Sequence, residues 1–176
     1  MATVIHSADR NPQYYQQIQE IFWETSARSD FSDSAEKKDF ENRYLGIYLE
    51  SYSEFVFVAC DGQRVLGYIL GVPDTLKAEA ILRANPHMAI FGDMYQRYPA
   101  HLHINLRAET RGRGIGGELI QAFEDYLIKK SVTGVHLITS STARNVSFYL
   151  KNGFMHKVER LWNGRPLLLL GKTLQV

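Results

Sequence analysis

The sequence predicts an α/β (α+β) domain built on a mixed sheet, and three observations support this prediction. A strand-like run over His101–Arg107 ends in a glycine-rich loop, and that loop opens a helix with strong apolar periodicity. Asp61-Gly62 separates two apolar runs, which is a strong hairpin signal. Asn163-Gly164 separates two further strand-like runs near the end of the chain. Helical and extended patterns follow the order β-α-α-β-β-β-α-β-α-β-β, which is typical of this class.

Two amphipathic helices are predicted between a short first strand, Thr3–Ser7, and the first hairpin. Asn11 is a favoured N-cap and Pro12 is favoured at the first helical position, so the first helix begins there. Asp33 with Glu36 three residues later resembles a capping box, so Asp33 is expected to cap the second helix. The apolar stripes of the two helices are Tyr14, Ile18, Ile21, Phe22 and Thr25, and Phe40, Tyr44, Ile47 and Tyr48.

The rest of the chain divides into strands, two helices and one long connection. Pro73–Ala100 is long for a connection, so it is expected to be functional or to carry structure of its own. Gly153 is expected to stop the last helix. The other predicted elements are strands over Phe55–Cys60, Val65–Gly71, Val135–Ser140, Phe154–Trp162 and Pro166–Leu174, a helix with its stripe at Ile115, Leu119, Ala122, Phe123, Tyr126 and Leu127, and a short helix over Ala143–Asn152.

Composition limits the class of protein. The 176 residues are most simply one domain, 1–176, and 45% hydrophobic with 22% charged residues allow a substantial core. A net charge of +1 without a long basic run gives no reason to expect nucleic acid. Cys60 is the single cysteine, so no disulfide framework forms within the chain, and packing is its expected role. No signal-peptide pattern or bilayer-length apolar run is found, so the expected location is the cytoplasm, without a membrane partner.

The loop from Arg111 to Gly117 is the strongest functional signal. It joins a strand to a helix N-terminus, where backbone N–H groups are unpaired and the helix dipole is positive. Such a junction binds anions, and phosphates in particular. Its glycines let the backbone close on a pyrophosphate, and its arginines add positive charge or are merely solvated charges on a turn. The residues of this loop are Arg111, Gly112, Arg113, Gly114, Ile115, Gly116 and Gly117.

Gly112 to Gly117 also match the dinucleotide fingerprint G-x-G-x-x-G, which alone is a weak signal. The fingerprint requires an acidic residue about 20 positions later, at the end of the next strand. That strand ends in Leu137-Ile-Thr-Ser-Ser141 and has no carboxylate. About 60 residues follow the loop, too few for a second mononucleotide-binding half. The sequence therefore does not predict NAD binding.

Read as Arg111-x-x-Gly114-x-Gly116, the loop resembles the pyrophosphate loop of the GCN5-related N-acetyltransferase (GNAT) superfamily. The segment Asn145 to Phe154 is similar to the Asn…Phe-Tyr-x-x-x-Gly-Phe motif of that superfamily. The resemblance covers most of the chain. It implies a GNAT-type mixed, mostly antiparallel central sheet with helices on both faces. It also implies an N-acetyltransferase that uses acetyl-CoA as co-substrate and no metal.

The resemblance further implies roles for individual residues. The loop residues named above would hold the pyrophosphate of acetyl-CoA, and Asn145 would bond the pantetheine arm. The backbone of Leu106 and Arg107 would pair with the pantetheine amides, and a splayed strand there would let a backbone N–H polarise the thioester carbonyl. Tyr149 would donate a proton to the CoA thiolate, because tyrosine with its ordinary pKa of about 10 is protonated at neutral pH. Without the motif, Tyr149 would be taken as a core aromatic.

A closer resemblance is carried by Tyr98 to Ile104, the strand beginning at Gly134 and the terminal Leu170-Gly-Lys-Thr-Leu. These segments are similar to acetyltransferase-like domains related to the C-terminal domain of O-GlcNAc hydrolase. Some of those domains are thought to have lost acetyl-CoA binding. Because this chain keeps the glycine loop, an active enzyme is expected.

The superfamily has no fixed general base. His101, His103 and Asn105 alternate with apolar residues, so they project from one face of their strand. A metal pair is one interpretation, but no nearby cysteine or carboxylate completes a site. Structural hydrogen bonding is favoured for His101, and a general-base role is considered for His103, since imidazole has an ordinary pKa of about 6.5. The competitors are a water chain and Glu24, Asp30, Asp93 and Glu109.

The acceptor is expected to be a primary amine of a small molecule or a peptide. In the superfamily the segment between the first two helices often lines the acceptor site, so Asp30 either attracts a cationic amine or caps a helix. Pro73–Ala100 is a hypothetical cover over the acceptor. A homodimer is an open alternative to a monomer. The rival function is a non-catalytic acyl-CoA-binding or protein-interaction module on the same fold.

Overall fold

The computed structural model describes residues 3–8, 10–26 and 28–175 of the chain. The strands of this part are β1 Val4–Ser7, β2 Val56–Asp61, β3 Arg64–Val72, β4 Ala100–Leu106, β5 Gly134–Ser140, β6 His156–Trp162 and β7 Arg165–Thr173. The helices are α1 Pro12–Thr25, α2 Ser34–Glu41, α3 Ile47–Ser51, α4 Glu79–Ala84, α5 Ile115–Lys129 and α6 Val146–Lys151. None of these helices is long and apolar enough to cross a bilayer.

The strands form a mixed sheet in the order β1-β2-β3-β4-β5-β7-β6. The pairs β1–β2, β2–β3, β5–β7 and β6–β7 are antiparallel, and β4 pairs with β5 in parallel at Ala100–Val135 and His101–His136. The predicted fold class, with a mixed and mostly antiparallel sheet, is confirmed. Two compact units divide the chain. The first holds the described residues up to Gly71 with His103–Phe123, and the second holds Val72–Leu102 with the described residues from Glu124 onward.

In the first unit the local signals place the elements where the sequence predicts. The Asn11 side chain accepts a hydrogen bond from the Gln13 N–H at 2.9 Å, and α1 begins at Pro12. Asp33 caps α2, because its carboxylate accepts from the Glu36 N–H at 2.8 Å. Gly62 has a φ of +58° in the turn between β2 and β3. The core of this unit includes Ile18, Ile21, Leu45, Tyr48, Val58, Val65, Tyr68, Ile115, Leu119 and Phe123.

The second predicted helix contains a π turn that the sequence did not predict. The backbone stays helical from α2 through this turn, Asn42–Gly46, into α3. A π turn inserts one extra residue into the helix and so shifts its buried face. Tyr48 of the predicted stripe is buried, and Leu45, which the stripe did not include, is buried as well. Phe40 and Tyr44 of the predicted stripe are only half-buried. Apolar residues chosen at a constant α-helical spacing do not reveal that the buried face of the helix shifts at the π turn.

In the second unit, β5, β7 and β6 form an antiparallel ribbon. Asn163 and Gly164, with φ of +49° and +76°, make the two-residue turn between β6 and β7. The long connection Pro73–Ala100 carries structure of its own, which was one of the two predicted alternatives. It contains α4 and then a 3-10 segment over Pro86–Met94. Arg160 of β6 binds both carboxylate oxygens of Asp93 in that segment, at 2.6 and 2.7 Å. The segment is therefore tied to β6.

Candidate active site

The glycine loop after β4 is an exposed turn. Arg111 to Gly114 are all exposed, and Gly112 and Gly114 have φ of +77° and +84°. Residues with a side chain rarely adopt these values, so glycine is strongly favoured at both positions. A Cβ atom at either position would point into open space. The loop thus offers its backbone directly to a ligand, without side chains in between.

The start of α5 leaves several N–H groups before the first helical hydrogen bond. The Gly114 carbonyl accepts from the N–H groups of Gly117 and Glu118, at 2.9 and 3.2 Å. Residues 112–116 precede those first donors. Ile115, which is 2% exposed, anchors this first turn in the core of its unit. A fixed helix N-terminus behind an exposed glycine loop is the arrangement that binds a phosphate.

The backbone at the end of β4 is held within the protein. The Arg107 N–H donates to the Leu66 carbonyl at 2.9 Å. The Arg107 carbonyl accepts from the N–H of Thr110 at 3.0 Å and from its hydroxyl at 2.8 Å. Both backbone groups of Arg107 are therefore engaged, which argues against their predicted pairing with pantetheine. This short turn instead forms a rigid base from which the glycine loop rises.

The Arg107 side chain strengthens that base. The side chain is 11% exposed, and its guanidinium lies 2.7 Å from Glu24 and 3.1 Å from Glu20, both on α1. Its Nε donates to the Val65 carbonyl of β3 at 2.9 Å. Sequence reasoning missed this cluster, although Glu20 and Glu24 are four residues apart and so share one face of α1. Glu24, considered above as a base, is one partner of a buried cation.

We expect Arg107→Leu to lower the free energy of unfolding by about 1 to 3 kcal/mol, since it removes charge-assisted hydrogen bonds from a buried group. Arg64→Leu is the matched control, because the Arg64–Glu109 pair lies at 2.5 Å but is mostly exposed. That control should change stability by less than about 1 kcal/mol. Urea denaturation measures both variants. An equal decrease in the free energy of unfolding in both variants would show that Arg107 stabilises the fold no more than an exposed arginine does.

His103 of β4 contacts a buried tyrosine. Its Nε2 lies 3.1 Å from the Tyr48 hydroxyl, and the two rings meet edge to face at 5.5 Å between centroids. Tyr48 is 1% exposed, and burial raises the pKa of its hydroxyl far above the ordinary range. The hydroxyl therefore stays neutral. Asn105, two residues along the same strand, donates to the Tyr68 hydroxyl at 2.8 Å.

Two of the other candidate carboxylate bases are also paired with arginines. Glu109 lies 2.5 Å from Arg64. Asp93 binds Arg160 through both oxygens, and those hydrogen bonds lower the pKa of its carboxyl group. An ion-paired carboxylate accepts a proton less readily than a free one. Glu24, Asp93 and Glu109 are therefore each engaged with an arginine cation.

The second unit holds the other predicted motif, at α6. Gly153 has a φ of +88°, its N–H donates to the Leu150 carbonyl, and the Phe154 N–H donates to the Tyr149 carbonyl, both at 3.1 Å. This is a Schellman motif, so the predicted stop at Gly153 is confirmed. The Phe154 ring packs edge to face on the Tyr149 ring at 5.8 Å. The Gly-Phe pair of the motif thus fixes the position of Tyr149.

Tyr149 and Asn145 lie four residues apart on one side of α6. The Asn145 carbonyl accepts from the Tyr149 N–H at 3.2 Å, so Asn145 begins the helix. The Asn145 side chain is exposed, and its oxygen accepts from the Thr139 hydroxyl at 3.3 Å. Tyr149 is 5% exposed, and burial raises the pKa of its hydroxyl far above the ordinary value. Its proton is therefore retained throughout the neutral range.

His101 has a structural hydrogen bond in the second unit. It is 2% exposed, and its Nδ1 lies 2.8 Å from the Thr75 hydroxyl. That hydroxyl donates to the Pro99 carbonyl at 2.8 Å, so it accepts from His101. The rings of His101 and His136 lie 5.8 Å apart. Within the described residues no three His, Cys, Asp or Glu side chains gather in a way that would hold a metal ion.

Comparison with known proteins agrees with these motifs. Residues 15–154 match the Acetyltransferase (GNAT) family. The chain belongs to this GNAT acetyltransferase family, as the sequence predicts. The finer likeness to domains related to O-GlcNAc hydrolase stays a prediction.

Solved structures of the same fold cover almost the whole chain. SsHAT is 23% identical over 98% of both chains, with a TM-score of 0.75. The PaiA N-acetyltransferase from Thermoplasma acidophilum, in complex with coenzyme A, is 16% identical over 98% of this chain and 99% of its own, with a TM-score of 0.63. The Drosophila melanogaster polyamine N-acetyltransferase, which forms N-acetylagmatine, is 12% identical over 98% and 100%, with a TM-score of 0.64. At these identities the likeness shows the fold.

Proposed function

We propose that this protein transfers the acetyl group of acetyl-CoA to a primary amine of a small molecule or a peptide. The observation that carries the proposal is the exposed glycine loop at the N-terminus of α5, with two glycines at positive φ on a rigid base. In this proposal the loop 111–117 holds the pyrophosphate, with the N–H groups of residues 112–116 as the backbone donors, and Arg111 and Arg113 add charge. A cytoplasmic location is part of the same proposal.

The pantetheine arm is assigned to the backbone of Leu106 and to the Asn145 amide. Leu106 ends β4 and immediately precedes the turn that supports the loop. Asn145 is exposed at the start of α6, so its amide is accessible to a ligand. Arg107 supports the site through its side chain and is not given a backbone contact. Its burial against α1 keeps the end of β4 in place while the ligand binds.

The proposed reaction is direct transfer. The neutral amine attacks the thioester carbonyl, a C–N bond forms, and the C–S bond then breaks to release CoA. Holding the two substrates in line supplies much of the rate by proximity. A backbone N–H near Leu106 is proposed to stabilise the oxyanion. The amine loses one proton to a base, and the leaving sulfur gains one from an acid, so protons balance over the turnover.

His103 is the proposed base and Tyr149 the proposed acid. The arginine pairing of Glu24, Asp93 and Glu109 favours His103 over these carboxylates. The contact with Tyr48 fixes the orientation of the His103 ring. Tyr149 is protonated at neutral pH, as the acid must be before the sulfur departs, and the same burial makes that proton harder to release. The rival, a non-catalytic acyl-CoA-binding module, has the same loop but needs neither residue.

A CoA-release assay over a panel of amines tests the proposal. The panel contains polyamines and agmatine, amino sugars, aminoglycosides, lysine and peptides with a free N-terminus. We expect at least one class to release CoA thiol in proportion to acetylated amine. His103→Gln should then reduce the rate and remove the acidic limb of the pH profile. Binding of acetyl-CoA without turnover on any amine would favour the non-catalytic rival.

A further inference from the structure

Strand β6 forms one edge of the sheet. In the described part of the chain β7 flanks it on one side, through the register His156–Gly171 to Trp162–Arg165, and no strand flanks it on the other. An edge strand presents a row of backbone N–H and C=O groups that are free to pair with another strand. This edge is seven residues long, which is enough for a regular ladder.

The two faces of β6 differ in environment. The residues at 156, 158, 160 and 162 are half-buried, and Arg160 reaches the 3-10 segment, where it binds Asp93 and the Ile90 carbonyl. The opposite face carries four exposed side chains, beginning one residue before the strand. These are Met155, which is 69% exposed, Lys157, Glu159, and Leu161, which is 71% exposed. The strand thus presents two apolar ends and a central pair of opposite charges.

This exposed row is complementary to itself. Val158, on the opposite face, is the midpoint of the row along the sequence. Lys157 and Glu159 lie one residue away on either side of it, and Met155 and Leu161 lie three residues away. In an antiparallel pairing centred on Val158, each of these residues faces the residue of the second copy that lies equally far from Val158 on its other side. Lys157 of one copy then faces Glu159 of the other, and Met155 faces Leu161, twice each. Opposite charges and apolar side chains placed directly across antiparallel strands stabilise the pair.

We propose that β6 is the homodimer interface of this protein, with a second copy of the chain added antiparallel across β6 and the twofold axis at Val158. Neighbouring registers are disfavoured by the same row. A pair centred on Lys157 places the Lys157 side chains of the two copies opposite each other, and a pair centred on Glu159 does the same with Glu159. Like charges placed directly across two strands are destabilising. It also sets an apolar end of the row against a charge. The charge pattern therefore favours a second copy of the chain as the partner of β6, and it favours the register centred on Val158.

Charge exchange tests this interface. Sedimentation velocity at about 100 µM, in low salt, should show the wild-type chain as a dimer. Glu159→Lys creates two Lys–Lys contacts and should raise the dimer dissociation constant about tenfold or more. The double variant Lys157→Glu with Glu159→Lys recreates the opposite pairs and should restore the dimer. Glu50→Lys, at an exposed position on α3, makes the same charge change elsewhere and should leave the dimer intact.

Leu161→Ser is the second variant, since it removes an apolar end without changing charge, and it should also weaken the dimer. Circular dichroism on heating confirms that each variant is folded. A wild-type chain that is monomeric under these conditions overturns the proposal. The proposal is also overturned if Glu159→Lys leaves the dimer intact. It is overturned as well if Glu159→Lys weakens the dimer and the double variant does not restore it.

Discussion

Gly114→Val should abolish CoA binding while the protein remains folded. Gly114 has a φ of +84°, which a β-branched residue can adopt only with strain, on the order of 1 to 3 kcal/mol. A Cβ there meets no protein atom within 4 Å, and in the proposed site the new side chain would occupy the space that a phosphate needs. Calorimetric titration with CoA measures the loss, and urea denaturation measures the strain.

Gly62→Val is the matched control for this variant. Gly62 also has a positive φ, +58°, and a Cβ there likewise meets nothing within 4 Å. It lies in the hairpin between β2 and β3, away from the glycine loop in sequence. The control should lose stability and still bind CoA. If Gly114→Val is folded and binds CoA as tightly as the parent chain, the phosphate site has been assigned to the wrong loop.

Tyr149→Phe should lower kcat by about two to four orders of magnitude and leave the CoA dissociation constant nearly unchanged, since general acid catalysis commonly contributes that much. The variant keeps the ring that packs on Phe154 and removes only the hydroxyl. The Schellman motif that positions the residue uses backbone groups and is also kept. Steady-state kinetics with the accepted amine, together with a CoA titration, separates the two effects.

Tyr95→Phe serves as the control for removing a buried tyrosine hydroxyl. Tyr95 is 2% exposed, and its hydroxyl donates to the Met88 carbonyl at 2.5 Å. Removal of this hydroxyl therefore tests the effect on stability without changing a residue of α6. It should cost about 1 kcal/mol of stability and leave kcat unchanged. An unchanged kcat in Tyr149→Phe, with chemistry limiting the rate, would make Tyr149 a packing residue. A loss of CoA binding would instead make its role positional.

Much of the fold was predictable because its signals are local. Asn11, Asp33, Gly62, Gly153 and Asn163-Gly164 all act where the sequence places them, because caps and turns depend on the conformations of a few adjacent residues. The glycine loop was predictable for the same reason. The π turn at Asn42–Gly46 was not predictable in this way, because a stripe drawn at the α-helical period contains no extra residue.

The parts of the site that were missed depend on long-range contacts. Arg107 meets Glu20 and Glu24 across more than eighty residues of sequence. Apart from the site, Lys172 likewise lies 2.6 Å from Glu124, a buried carboxylate of α5. No spacing rule connects such partners, since only the folded chain brings them together. The roles of Arg107 as an anchor and of His103 beside Tyr48 therefore emerge only from the folded chain.

Calorimetric titration of the protein with acetyl-CoA, CoA and NAD tests the central claim most directly. We expect acetyl-CoA and CoA to bind with one site per chain, and NAD not to bind. At a hundred times its dissociation constant, acetyl-CoA should stabilise the fold by about 2.7 kcal/mol. The glycine loop and the Asn145 to Phe154 motif both predict this result. No heat of CoA binding at millimolar ligand, with the protein folded, would contradict the assignment of the loop and the acetyltransferase function with it.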